Sequence, residues 1–542
     1  MPSWRESAPP MRVEAHFGDR IVRCFVDRPR DINALFAQAV ARNGDGEALI
    51  DGAERLTWRD LEDSVARGAA GLARRGLGRG DRVALLLGNR KEFVIAWLAA
   101  ARLGAIVVPL SIRAQGPELA YMLAQCEASA IVHEVELADR LPAPADAPAL
   151  RTRLAVGECA GSEPFAALIG GDRVDAVVSD EEDTAAILYT SGTTGRPKGA
   201  MLTHFGIVHS ALHYASTMRL TESDRSIAAV PLSHVTGVIA LIATMLRCAG
   251  TLILLREFKA VNFMELAARE RMTHTVLVPA MYNLCLLAPE FDRFDLSAWR
   301  IGGYGGAPMP PATIERCAQK LPKLELMNLY GATETTSPAT IMPARFSASH
   351  ADSVGLTVAC GDIVVMDDAG RAVAPGETGE LWIGGPMVVR GYWNDPQATA
   401  REFTAGYWHS GDLGSIDAEG FVRVFDRKKD LINRGGYKIY SAEVEGVLIA
   451  HPAVVEAAVV AKPCPVLGER VHAFVCLRAD ATADELRAHC AAQLSDYKVP
   501  ETFTLSRDPL PRNANGKLLK RLLRERAATG VTSASWATDP PR

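Results

Sequence analysis

Short solid apolar runs alternate, through the first two thirds of the chain, with longer stretches in which apolar residues return every three or four positions. Arg82 to Leu87 and Ala105 to Pro109 have the first pattern and predict strands; Phe93 to Leu103, between them, has the second and predicts a helix. This rhythm predicts α/β layers. Ala185 to Leu188 reads as a buried strand, and Phe205, Val208, Leu212 and Ala215 recur at helical spacing behind Thr203, a suitable N-cap. The segment YTSGTTGRPKGA, Tyr189 to Ala200, is therefore expected to join a strand to a helix. Leu141 to Leu150, LPAPADAPAL, is a loop by composition, and the sequence has no fixed-period repeat.

From Ile363 the pattern changes to short strands separated by the turn signals DDAGRAV, PGETGEL and DAEGFV, which predicts a β-rich subdomain. Beyond Phe425–Glu445, FDRKKDLINRGGYKIYSAEVE, the remainder has the length and patterning of one small α+β domain. A boundary near Lys429 gives an N-terminal domain of residues 1–428 and a C-terminal domain of 429–526. Residues 527–542 lack periodicity and are expected to form a loose tail.

Bulk properties narrow the function classes. A chain of 542 residues is too long for one core, in keeping with several domains. Fifty-nine basic against 64 acidic residues leave a formal charge of −5 without a basic block, which argues against nucleic acid as a partner. An apolar fraction of 48% rules out wholesale disorder. Met1 to Pro10 lacks the apolar core of a signal peptide, and the longest apolar stretches, Val94 to Leu110 and Val238 to Leu246, are too short or are interrupted by Arg102, so no membrane span is expected. Ten scattered cysteines without a CxxC pair fit reduced thiols in a cytoplasm, with neither disulfides nor structural zinc.

A Gly/Ser/Thr loop between a strand and a helix offers close backbone N–H groups, hydroxyl donors and a positive helix terminus, and Lys198 adds a mobile charge. Phosphate is the natural ligand. The Walker A pattern does not fit, because Pro197 stands where its second Gly belongs and Gly199 where its Ser/Thr belongs. Alone, such a loop is as often a surface turn.

Order along the chain weighs more. YTSGTTGRPKG is followed by PLSHVTG (Pro231 to Gly237), GGAPMP (Gly305 to Pro310), YGATE (Tyr330 to Glu334), YWHSGD (Tyr407 to Asp412), DRKKDLI (Asp426 to Ile432), RGGYKIY (Arg434 to Tyr440) and PRNANGK (Pro511 to Lys517). This series resembles the acyl-adenylate-forming superfamily, in its acyl-CoA synthetase branch. The resemblance implies a large N-terminal domain and a small mobile C-terminal domain. It also implies two half-reactions: a carboxylate attacks the α-phosphate of MgATP to give acyl-AMP and pyrophosphate, and a thiol then displaces AMP.

It further implies roles for individual residues. Thr190, Ser191, Gly192, Thr193, Thr194, Gly195 and Lys198 would hold phosphate. Gly306, Ala307 and Pro308 would border adenine by backbone, with Tyr330 against the base and Gly331 and Thr333 beside it. Asp412 would accept both ribose hydroxyls and Arg427 would add a second ribose contact. Glu334 would hold magnesium, although a carboxylate in such a turn is more often a cap or a surface group. Lys517 would be the cation that meets charge on the α-phosphate, and His234 would gate the carboxylate end of the acyl pocket. Lys429 would be the hinge, and Gly435 and Gly436 would line the pantetheine tunnel or form a tight turn.

Within the superfamily, amino-acid-activating members carry an aspartate where this chain reads Ser233-His234, which argues against an amine on the substrate. CoA is the implied thiol; loading of a carrier protein by a freestanding acyl-AMP ligase is the alternative. Luciferase chemistry would need a luciferin pocket that these motifs do not reveal. A non-enzymatic nucleotide-binding protein would have little use for Lys517. The expected pocket walls, Val235 to Ile239, Val278 to Tyr282, Gly302 to Gly305 and Thr335, contain no cation, which points to an apolar acid: a medium- or long-chain fatty acid if the glycines leave a channel, an aryl acid if Tyr282 and Tyr304 frame a ring. Several relatives have Pro at Ser441 and a polar residue at Tyr437, both toward the CoA face. A homodimer and a protein acetyltransferase acting on Lys517 complete the partner expectations.

Overall fold

The computed structural model describes residues 2–190, 196–512 and 518–529. Contacts divide the chain into a larger unit, Met1–Val364 with Trp382–His409 and Ile416–Val422, and a smaller one, Val365–Leu381 with Ser410–Ser415 and everything from Arg423 on. The smaller unit thus starts six residues before Lys429 and draws in two earlier segments, because the strands Gly379–Gly384, Tyr407–Ile416 and Phe421–Arg427 each run across the division. No helix among the described residues is long and apolar enough to cross a membrane.

The larger unit is layered α/β. One seven-stranded sheet has the order Lys198–Thr203, Thr184–Thr190, Ile106–Pro109, Arg82–Leu86, Ala130–Glu134, Thr152–Val156, Glu163–Pro164. Pairing is parallel except at the Thr184–Thr190/Lys198–Thr203 edge, and the inner strands are solid apolar runs because both faces are covered. A second sheet runs Glu325–Tyr330, Ile301–Gly305, His274–Leu277, Arg225–Ala228, Thr251–Leu254, Glu47–Asp51, all in parallel. Helix Lys91–Arg102 is buried almost throughout. The expected strands and helix in this part match to within two residues.

In the smaller unit Val454–Cys464 and Gly468–Leu477 form a long antiparallel pair, flanked by Ile432–Arg434 with Tyr437–Ile439 and by Thr502–Ser506. Alternation places Val459, Val471 and Val475 in one core with Val444 and Leu448 of helix Ser441–Ile449. Ala458, Val460 and Phe474 join Leu523 and Ala527 of helix Lys520–Thr529 in another. Residues 527–529 therefore belong to a packed helix rather than to a tail, since Ala527 continues the stripe begun by Leu523.

One expectation about the glycine-rich segment is overturned. It joins two strands: Lys198–Thr203 pairs antiparallel with Thr184–Thr190, in register from Thr190↔Lys198 to Ala186↔Leu202. The helix His204–Thr217 follows only after that second strand, with Thr203 accepting from Gly206 N as its N-cap. The six-residue strand KGAMLT contains a glycine and leads straight into the helix, so the stronger helical period masked it. Gly199 is required there, since a Cβ would sit 2.7 Å from Ile187 Cγ2. The N-terminus of the helix His204–Thr217 therefore lies one strand beyond the segment rather than at its end.

Candidate active site

Thr190 and Lys198 face each other across the hairpin mouth from which the glycine-rich loop departs. Ser191, Gly192, Thr193, Thr194 and Gly195 lie outside the described residues, as does Lys517. Lys198 is not a mobile surface charge. Its side chain is 8% exposed, its Nζ lies 2.5 Å from Glu402 Oε2, and it sits 4.1 Å from the centre of the Tyr392 ring. The Tyr392 hydroxyl is 2.7 Å from Glu402 Oε2 and 3.0 Å from Glu334 Oε1, and the Thr190 hydroxyl donates to that same Glu334 oxygen at 3.3 Å. Lys198 is thus ion-paired with one member of an acidic cluster, Glu402, Tyr392 and Glu334. Burial raises the Glu402 carboxyl, but the Lys198 and Tyr392 hydrogen bonds outweigh it and hold Glu402 below the usual value. Burial first, then both carboxylates, push the Tyr392 phenol far up, so the hydroxyl keeps its proton and donates it to one carboxylate at a time.

Glu334 is itself buried in the short turn Thr333–Thr335. Thr335 Oγ1 accepts from Ala332 N at 2.9 Å, and Val389 N donates to the Glu334 carbonyl, which fixes the turn. A buried carboxylate with a threonine hydroxyl beside it is a hard-oxygen donor set of the type that suits magnesium.

GGAP and YGATE are brought side by side because they follow neighbouring parallel strands, paired Gly305↔Leu329. Ligands in such sheets bind at the carboxyl ends of the strands, where Gly306, Ala307, Pro308, Tyr330, Gly331 and Thr333 stand. Gly306 has φ +79° with nothing nearer than Val278 Cγ1 at 4.0 Å, and it lies exposed together with Ala307 and Pro308.

The glycines before it behave differently. A Cβ on Gly302 would meet the Tyr282 hydroxyl at 2.7 Å, one on Gly303 would meet Leu329 Cδ1 at 2.7 Å, and one on Gly305 would meet Leu329 O at 2.3 Å. These positions admit protein, not a fatty chain. Tyr282 is fully buried, donates to Gly303 O and stacks on Trp299; Tyr304 lies in the same core. Neither the glycine channel nor the tyrosine frame exists as expected, because alternation along Ile301–Gly305 sends both faces into packing. Val278, 39% exposed, and half-buried Met281 remain open on that wall.

His234 is half-buried in a turn closed by His234 N donating to Pro231 O at 3.2 Å, and Val238 N donates to its carbonyl. The turn leads into a π-helix, Thr236–Ala243, a form that is rare and concentrated at functional sites.

In the smaller unit Asp412 and Arg427 come together: Arg427 Nε lies 2.5 Å from Asp412 Oδ1, and Asp412 is 4% exposed. The two residues expected to meet a ribose thus form one ion pair. Lys429 is exposed at its surface, yet the partial desolvation of its ammonium by its surroundings pulls it below the ordinary lysine value. Arg524 donates to its carbonyl at 2.8 Å. Gly435 and Gly436, φ +57° and +93°, form a two-residue hairpin turn between strands registered Arg434↔Tyr437, and a Cβ on Gly436 would meet nothing within 4 Å. The tight turn is present, and one of its faces is open. Ser441 donates its hydroxyl to buried Asp426 at 2.8 Å, and its backbone N–H, which a proline would lack, donates to the same oxygen.

The family profile described as AMP-binding enzyme matches residues 36–393, and that of the AMP-binding enzyme C-terminal domain matches 443–517. The chain belongs to this family, in the acyl-CoA synthetase branch of the acyl-adenylate-forming superfamily. Among curated relatives, a feruloyl-CoA synthase of an Amycolatopsis species is 35% identical over 482 residues, covering 88% of this chain and 95% of the relative. A long-chain-fatty-acid–CoA ligase of Mycobacterium tuberculosis is 34% identical over 483 residues, covering 88% and 94%. The solved o-succinylbenzoate CoA synthetase of Bacillus subtilis, in complex with its acyl-adenylate intermediate, superposes with a TM-score of 0.81 at 30% identity, covering 90% of this chain and 97% of that one. The chain is accordingly an AMP-forming acid–thiol ligase that uses ATP, magnesium and CoA.

Motif reading missed two residues that this AMP-binding enzyme packs against Lys198 and Glu334, namely Tyr392 and Glu402. Both lie between motifs, and their signal is burial of polar groups around Lys198, which only the fold reveals. The pair gives a test: Lys198→Met leaves Glu402 uncompensated and should lower unfolding free energy by about 2 to 4 kcal/mol, tempered because Glu402 keeps 20% exposure. Denaturant titration reads it directly; an unchanged midpoint would restore the mobile-cation view.

Proposed function

We propose that the chain joins an apolar carboxylic acid to CoA through an acyl-adenylate, with a medium- or long-chain fatty acid as the favoured substrate. The observation that carries this reading is the pairing of buried Asp412 with Arg427, together with relatives that match along nearly the whole chain and are named as CoA ligases or synthases. In the first half-reaction a carboxylate oxygen bonds to the α-phosphorus of ATP and pyrophosphate leaves. In the second the CoA sulfur bonds to the acyl carbon and AMP leaves. Glu334 would hold magnesium, which when bound would neutralise charge on the phosphates. Asp412 accepts from the ribose hydroxyls while Arg427 fixes its orientation, and Lys517 neutralises charge on the α-phosphate.

The walls Val235–Ile239 and Val278–Tyr282 carry no cation, which supports a monocarboxylate with an apolar body. The feruloyl and o-succinylbenzoate relatives support an aryl acid as second reading. A panel of fatty and aryl acids, scored for CoA-dependent AMP formation, separates the two; turnover of aryl acids alone removes the fatty-acid preference. Asp412→Ala should raise KM for ATP roughly 10- to 100-fold, as expected for lost charge-assisted hydrogen bonds, and leave KM for the acid near its starting value. Equal shifts in both constants would dissociate Asp412 from ribose.

A further inference from the structure

Asn89 lies in the turn between strand Arg82–Leu86 and helix Lys91–Arg102, and it is 5% exposed. Its amide reaches the carboxyl ends of two strands of the other sheet. Nδ2, with two hydrogens to give, lies 3.0 Å from Ala228 O, 2.9 Å from Val230 O and 3.0 Å from Leu255 O, while Oδ1 accepts from Leu232 N at 2.9 Å. Three carbonyls on one side and an N–H on the other allow one amide orientation only. Two of these four contacts, to Val230 O and Leu232 N, hold the backbone on either side of Pro231, and the other two tie that segment to the ends of the strands Arg225–Ala228 and Thr251–Leu254.

The turn that carries Asn89 is itself clamped. Gly88 N donates to Glu134 Oε1 at 3.0 Å, Arg90 pairs with the same oxygen at 3.3 Å, and Lys91 N donates to Asp51 Oδ2 at 3.1 Å. From the far side, Pro231 O accepts from His234 N, and a Cβ on Gly237 would sit 2.4 Å from Pro231 O and 2.5 Å from Leu232 Cα. The segment bearing Ser233 and His234 is therefore held between Asn89 at one end and the π-helix entry at the other.

We propose that Asn89 is a positioning residue for acid recognition: it fixes the Pro231–His234 turn against the sheet ends, so that His234 meets the carboxylate end of the substrate in one place. This rests on the ligase reading above and adds to it a residue that touches neither nucleotide nor acid. A merely structural asparagine would lower stability without singling out one substrate. A positioning one changes acid recognition and leaves nucleotide recognition alone.

Pyrophosphate exchange is measured with the acid and ATP varied separately, for the full chain and for Asn89→Ala, Asn89→Ser and Gly237→Ala, with thermal unfolding alongside. Asn89→Ala is expected to raise KM for the acid roughly tenfold or more, with KM for ATP within about twofold. Gly237→Ala, which disturbs the same turn from its other end, should do likewise, and the double variant should show less than the product of the two effects. Should Asn89→Ala fail to fold, Asn89→Ser and Gly237→Ala decide in the same way. Equal changes in both constants, or a lower unfolding midpoint with kinetics unchanged, overturn the proposal while the ligase reading stands. Absence of exchange by the unsubstituted chain with every acid removes the ligase reading and the proposal with it.

Discussion

Lowering the pH from 7 to 5 is expected to remove roughly 6 kcal/mol of stability from the larger unit through the buried imidazoles of His204, His213 and His274, with His209 adding to the loss. His204, His209, His213 and His274 are each no more than 3% exposed. Burial holds His204 and His274 near 4 and His213 near 3, and it pulls His209 well below its ordinary value. Near His204 the carboxylates of Asp31 and Asp183 work the other way without reversing the shift. Three of these rings accept backbone hydrogen bonds that a proton would abolish: His204 from Ile32 N, His209 from Phe25 N and His213 from Cys360 N. In the unfolded chain each ring titrates near 6.5. Because the folded values lie below that, the contribution is complete above about pH 6.5 and is lost as the pH falls toward the folded values. His204, His213 and His274 each give up about 2 kcal/mol by pH 5, and that total alone rivals the whole stability of an ordinary domain. Urea unfolding at pH 7, 6 and 5 measures the loss. A midpoint that stays level across that interval would mean the rings are solvated or ion-paired in the folded protein.

The largest effect on turnover is expected at Lys517. Attack on phosphorus gathers negative charge, and removal of one preorganised donor of this kind slows reactions about 10² to 10³-fold, or about 3 to 4 kcal/mol of barrier. Lys517→Ala should therefore depress ATP–pyrophosphate exchange by that factor. Its ability to pass the acyl group from preformed acyl-AMP to CoA should be largely intact, since that step makes no new bond to phosphorus. Near-normal exchange by the variant would take Lys517 out of the adenylation step.

Much of the fold was readable because buried parallel strands write themselves as solid apolar runs, as at Arg82–Leu86 and Ile106–Pro109. The strand Lys198–Thr203 was not, since six residues that include a glycine give too little alternation beside a strong helical period. Motif order singles out Asp412, Arg427, Glu334 and Thr190, and what the fold adds is that Arg427 pairs with Asp412 and Thr190 donates to Glu334. Lys198 could not be understood that way. A lysine beside a glycine-rich loop reads as a mobile charge, and its partner Glu402, some two hundred positions on, is visible only in the fold. The same holds for Gly302, Gly303 and Gly305: a glycine announces that something approaches closely, and only the fold says whether that is a ligand or a leucine.

That packed strand bears on any attempt to retailor the enzyme for other acids. Enlarging the residues at Gly302, Gly303 or Gly305 offers no ruler for chain length, because each would collide with Tyr282 or Leu329 before reaching a guest. A mutant library would do better to spare Ile301–Gly305 altogether and to diversify Val278, Met281 and Ala307, where the wall gives onto free space.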